Sequence, residues 1–183
     1  MADSMLSRHR KVRDRCGAAD RPRKHGTLQE ARQGKPVLEE LDINGDPPAL
    51  AGLTCQELLV QQYWYSGRLE EEANVIFLKF GQRWYRLYFD SGIIFWRPQD
   101  SPPESVPPTD EGWSFPVVDL GDRLGVKGAV LDQLIAEPID GGSRVRLVFV
   151  DGLEVVFQNV ADNTNYRVCR FGRGNDTGTP GAP

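Results

Sequence analysis

A chain of 183 residues with 39% hydrophobic and 9% aromatic content can bury one core of ordinary size. Its net charge of −4 hides an asymmetry. Residues 1–35 hold ten Lys/Arg against four acids, a net of +6, and the remainder holds 12 against 22, a net of −10. No run of residues is long and apolar enough for a membrane span or a signal-peptide core, so no membrane partner and a cytoplasmic location are expected.

Residues 1–49 are expected to be a basic, disordered tail and linker. The segment has no aromatic residue and little to bury against its ordering entropy. Its Lys/Arg clusters offer only weak, non-specific nucleic-acid contact, because they grip phosphates without reading bases. A solvated extension, or a mis-assigned start codon, is the expected reading of the tail ahead of a nucleic-acid or acidic-partner arm. Within residues 36–52, Asn44-Gly45-Asp46-Pro47-Pro48 is turn and polyproline chemistry.

A β-rich globular domain is expected over residues 50–168. Thr54-Cys55-Gln56-Glu57 fits a Thr-x-x-Glu capping box, which predicts a turn or two of helix. A strand is expected from about Val60, where Tyr63, Trp64 and Tyr65 follow. Gly67 to Glu72 reads as an acidic surface loop.

Asn74 to Pro98 carries the strongest pattern: three alternating apolar runs separated by two Gly-containing turns. Gly81 opens a two-residue type II′ loop, which sets Leu78 opposite Tyr85 and Ile76 opposite Leu87. For the second turn, a Ser91-Gly92 loop would set Arg86 against Arg97, two like charges face to face. A three-residue loop, Asp90-Ser91-Gly92, avoids that pair and sets Arg86 across from Trp96, so it is the expected register.

Residues 98–116 hold five prolines before Trp113 and suit neither helix nor inner strand. Leu120 to Gly128 reads as turns, and Ala129 to Pro138 as a strand. Arg144 to Phe157 then repeats the second hairpin: RLxFxxGIxF at residues 86–95 matches RLxFxxGLxV at residues 146–155 without a gap. A three-residue Val150-Asp151-Gly152 loop gives three apolar cross-strand pairs. Residues 169–183 are Gly/Pro/Asn-rich and are expected to be a disordered tail. The fold class is therefore mainly β, with β-rich α+β as the alternative. A single antiparallel meander or sandwich-like domain is built from two related hairpin units.

Both histidines, His9 and His25, lie in the tail. The body is thus without the imidazole that Ser-His and Cys-His nucleophile pairs and most acid–base sites use. Cys16, Cys55 and Cys169 have no CxxC spacing, and an odd count argues against a disulfide framework, so reduced thiols are expected. No Gly-rich phosphate loop, cofactor motif or metal-ligand spacing appears, so no cofactor is expected.

The positive signal is aromatic: 13 of the 17 Phe, Trp and Tyr residues fall between Tyr63 and Phe115. In the expected register, Trp84, Arg86, Tyr88 and Trp96 share the sheet face opposite the core, and Trp113 lies in the loop expected to fold back onto the body. Trp, Tyr and Arg are enriched at interface hot spots. The expected function is a non-catalytic protein-binding module of immunity or adaptor type, with a homodimer as another use of the face. A basic partner would suit the acidic body. The meander with its RLxFxxG turns resembles small bacterial proteins, toxin-neutralising immunity proteins among them. The Arg-rich basic composition also suggests a bacterial origin. The alternative is a carboxylate-based hydrolase or carbohydrate-binding protein with an aromatic-lined cleft. It would need two acids among Glu57, Asp90, Asp151 and Glu154 to face one another.

Overall fold

A computed structural model describes residues 41–171. The expectations for residues 1–40 and 172–183 lie outside the described residues. The described chain is mainly β and forms two sheets. Alternation of apolar and polar residues sets the strands of the first: β1 (Ile43–Asn44), β2 (Cys55–Tyr65), β3 (Arg68–Phe80), β4 (Arg83–Asp90) and β5 (Ile93–Gln99). They lie in the order β1-β5-β4-β3-β2. Two short strands, β6 (Trp113–Ser114) and β7 (Val117–Asp119), pair with the far side of β2. All pairs are antiparallel except β1 with β5.

A five-residue helix, α1 (Leu120–Leu124), leads to the second sheet. That sheet comprises β8 (Leu131–Ile139), β9 (Gly142–Phe149), β10 (Leu153–Val160) and β11 (Asn163–Arg170), antiparallel in the order β11-β10-β9-β8. The sheets share one core. Leu58, Ile76, Leu78 and Leu87 from the first meet Val145, Leu147, Val155 and Phe157 from the second, all buried. Backbone hydrogen bonds also join the two. Gly52 and Leu53 bond to Leu131, and Cys55 bonds to Gly128 and Ala129, so the approach to β2 lies along the start of β8. One border of each sheet carries a proline, Pro98 on β5 and Pro138 on β8.

The first and third tight turns follow their sequence signals. Gly81 adopts φ +60° and closes Phe80 against Arg83, which places Leu78 opposite Tyr85 and Ile76 opposite Leu87. Gly152 adopts φ +85° in a three-residue loop, and Leu147 pairs with Val155 and Val145 with Phe157.

The second turn does not. Ser91 and Gly92 both take positive φ, +51° and +80°, the pattern of a two-residue type I′ turn. Asp90 therefore pairs with Ile93, Leu87 with Trp96, and Arg86 with Arg97. The physical reason is burial. This register turns Ile94 and Trp96 into the core, at 0% and 2% exposure, and sends Ile93 and Phe95, which is smaller than Trp96, outward. The gapless match between the two hairpins thus conceals different registers.

Three local expectations are also corrected. The Thr54 capping box starts no helix: Cys55–Tyr65 is strand throughout, because the β-branched and aromatic run that follows suits a pleated sheet better than a short helix. The acidic segment after Gly67 is the beginning of β3, turned back on β2 by Ser66 (φ +48°) and Gly67 (φ +76°). The body is also wider than residues 50–168, since Ile43–Asn44 pairs with β5 and β11 runs to Arg170.

Candidate functional site

The outer face of the first sheet is built by the residues that alternate with the core. β3 contributes Val75, Phe77 and Lys79, β4 contributes Trp84, Arg86 and Tyr88, and β5 contributes Phe95 and Arg97. Of the five sequence-predicted residues, Trp84, Arg86 and Tyr88 share this face. Trp96 does not, because the two-residue turn puts it in the core. Trp113 sits on β6 beyond the far side of β2, where it pairs with Tyr65 and packs on Phe115 at 5.4 Å. Phe115 in turn stacks on Tyr63 at 5.4 Å, so a second aromatic cluster forms away from the first.

Phe95 is the residue that sequence reasoning placed on the wrong side. It stacks almost parallel to Tyr88 with centroids 4.8 Å apart. Arg86 lies over the Tyr88 ring at 5.5 Å and Arg97 over the Phe95 ring at 5.4 Å. Lys79 lies over Trp84 at 5.6 Å. Arg97 also donates to the Asn44 carbonyl at 3.0 Å, to Asn44 Oδ1 at 2.7 Å and to the Trp96 carbonyl at 2.8 Å, which anchors it to β1. Arg86 Nε is buried without a hydrogen-bond partner. Among the described residues, no carboxylate forms an ion pair with Lys79, Arg86 or Arg97.

The proline-rich segment covers part of this face. Ser101, Pro102, Pro103 and Glu104 form one wall of a cleft of about 400 Å³ whose other wall is Val75, Phe77 and Arg86. The segment is tied down by paired backbone bonds between Val106 and Phe115 and by Ser105 Oγ accepting from the Val117 amide. Phe77 and Trp84 are left 5% and 8% exposed, whereas Arg86, Tyr88, Phe95 and Arg97 stay partly open.

The candidate carboxylates are dispersed, each with its own partner. Glu57 pairs with Lys127 at 2.8 Å, Glu154 with Arg146, and Asp151 with Arg170 at 3.9 Å, while Asp90 accepts from Ser91 Oγ. None of the four lines the cleft beside Arg86. No group of three or more His, Cys, Asp or Glu side chains gathers around a metal position among the described residues. No described helix is long and apolar enough to cross a membrane.

Cys55 is a free thiol at 0% exposure, and burial, helped by the Glu57 charge, pushes its pKa up to about 12. That suits a structural thiol rather than a nucleophile. Cys169 is disulfide-bonded, contrary to the reduced thiols expected from the odd cysteine count.

No protein-family model matches this chain, and no curated protein or solved structure matches it either.

Proposed function

We propose that the protein is a non-catalytic binding module that receives an acidic segment of another protein on the outer face of its first sheet. The observation that carries this reading is the block of Arg86, Tyr88, Phe95 and Arg97. Two guanidinium groups lie over aromatic rings there, with no carboxylate paired to either among the described residues. A guanidinium stacked on a ring keeps in-plane donors available to a carboxylate. Arg86 spends none on a carboxylate among the described residues, whereas Arg97 gives part of its donors to Asn44 and Trp96. Rigid aromatic and Arg anchors carry most of the energy at protein interfaces.

The acidic charge of the body favours a basic partner at long range, but that field is screened within roughly 8 Å at physiological salt. Contact chemistry then decides, and Arg86 and Arg97 supply it, with Glu104 on the opposite wall of the cleft. The proline-rich wall beside Arg86 limits the face to an extended segment or a loop tip.

The test is affinity capture from native-host lysate with the full chain and with an Arg86→Ala/Arg97→Ala variant whose circular dichroism matches the parent. A stoichiometric partner with an acidic contact segment, lost in the variant, is the expected result. A partner retained by the variant, or none captured by the parent, overturns the reading.

A further inference from the structure

At one end of the sandwich three hairpin turns converge: Ser91-Gly92, Asp140-Gly141 and Ala161-Asp162. Together with Leu41 and Asp42 they enclose an open cleft of about 610 Å³. That volume falls in the range of small-molecule sites, ~300–1,000 Å³.

The floor is unusual for a sandwich core. On the inner face of the second sheet, Val145, Phe157 and Tyr166 are succeeded towards this end by Ser143, Asn159 and Thr164, aligned across β9, β10 and β11. These three are 1%, 3% and 2% exposed. Asn159 Nδ2 donates to Thr164 Oγ1 at 3.1 Å. Ser143 Oγ has no hydrogen-bond partner among the described residues, although the side chain is buried and lines the cleft. Leaving a buried hydroxyl unpaired is costly, so such a group signals something other than packing.

The electrostatics select a charge. Asp42 and Asp162 line the cleft, and among the described residues no Lys, Arg or His does. Glu71 lies within the field of Asp162; burial and then that neighbouring charge raise its carboxyl above the ordinary value. The remaining walls are aliphatic, from Leu41, Ile93, Pro138 and Ala161, and no aromatic residue lines the cleft for a sugar or base to stack on. Two carboxylates fall short of the six or more oxygens a calcium ion takes.

We infer that this end cleft binds a small aliphatic amine, its ammonium group held by Asp162 and Ser143 Oγ and its hydrocarbon stem by Leu41, Ile93 and Pro138. An ammonium brings three donors and no acceptor, which matches a hydroxyl lone pair and carboxylate oxygens and leaves Asn159 Oδ1 as a further acceptor. The site is separate from the outer sheet face and stands or falls independently of it.

The test is calorimetric titration of the full chain with diaminobutane, with butanediol as the uncharged isostere and calcium chloride as the metal control. Saturable binding of the amine alone is expected. Asp162→Asn, which keeps a residue tolerant of the left-handed backbone, should weaken it about tenfold or more by removing a charge-assisted contact. Ser143→Ala should weaken it about fivefold or more. Circular dichroism and melting curves establish that both variants fold. Equal binding of the diol, preferential binding of calcium, no saturation by the amine, or parent-like affinity in both folded variants would each overturn the assignment.

Discussion

Arg86 and Arg97 stand directly opposite each other on β4 and β5, yet each guanidinium lies over an aromatic ring of its own strand, on Tyr88 and Phe95. The rings are stacked between the strands, so the like charges are drawn over π faces, and Asn44 takes up part of the Arg97 charge. A pair that is unfavourable on a bare sheet is thereby tolerated, and the register that buries Trp96 becomes accessible.

The Tyr88–Phe95 stack should register as a coupling energy. A double-mutant cycle with Tyr88→Ala and Phe95→Ala, followed by urea unfolding, is expected to give about 0.5–1.5 kcal/mol in favour of the pair. A coupling near zero would show that the rings do not support each other.

Trp96 and Phe95 are neighbours in sequence with opposite fates. Trp96→Ala should destabilise by about 3–5 kcal/mol as a core truncation. Phe95→Ala, at a partly exposed position, should cost clearly less in the same unfolding experiment. The reverse order would restore the three-residue turn.

Ala161 holds φ +49° and Asp162 φ +59° in the β10–β11 turn. The left-handed region costs an L-residue about 1–2 kcal/mol, and glycine is exempt. Ala161→Gly is therefore expected to raise stability by up to about 1 kcal/mol after the extra entropy of an unfolded glycine. A lower denaturation midpoint would contradict that backbone.

Cys55 makes stability depend on alkaline pH. Its folded pKa of about 12 lies above the ordinary 9.0, so the folded state retains a proton that the unfolded state has lost. The contribution is complete below pH 9.0 and is lost as pH rises from there towards 12. Unfolding followed between those values should show the parent losing up to about 1.4 kcal/mol per pH unit more than Cys55→Ala. At neutral pH the thiol should react with iodoacetamide only in denaturant.

Asp119 caps α1 by accepting from the Asp122 amide at 2.8 Å, and it also bonds Lys127. Burial acts to raise its pKa, but Lys127 and the amide outweigh it and hold the carboxyl below its ordinary 3.8. Its contribution is thus present above pH 3.8 and lost as pH falls below it. Asp119→Ala should cost about 0.5–2 kcal/mol at neutral pH, the usual loss for a helix cap, and should flatten the acid limb of the stability curve.

Much of this architecture is legible in the residues. Gly81 and Gly152 announce their turns because only one loop type keeps apolar residues paired on both sides. The Ser91-Gly92 turn is ambiguous, because serine visits the left-handed region without advertising it and the Arg86–Arg97 contact looks repulsive until the rings beneath are known. Glu70, Glu71 and Glu72 disguise the start of β3, since acids are depleted from strands. The end cleft is illegible for a different reason. Ser143 and Asn159 continue the inward alternation of Val145 and Phe157, but their convergence with Asp42 and Asp162 exists only once the strands are laid side by side.

Pro98 and Pro138 have a consequence for how copies of the chain meet. A sheet border is an open template for another molecule's backbone, and growth along it leads to fibrils. Pro98 and Pro138 each withhold an amide that an incoming strand needs, and the stretch from Gly52 to Cys55 already occupies the start of β8. Edge-to-edge pairing is thus disfavoured at these two borders, while β11, the other border of the second sheet, carries no proline.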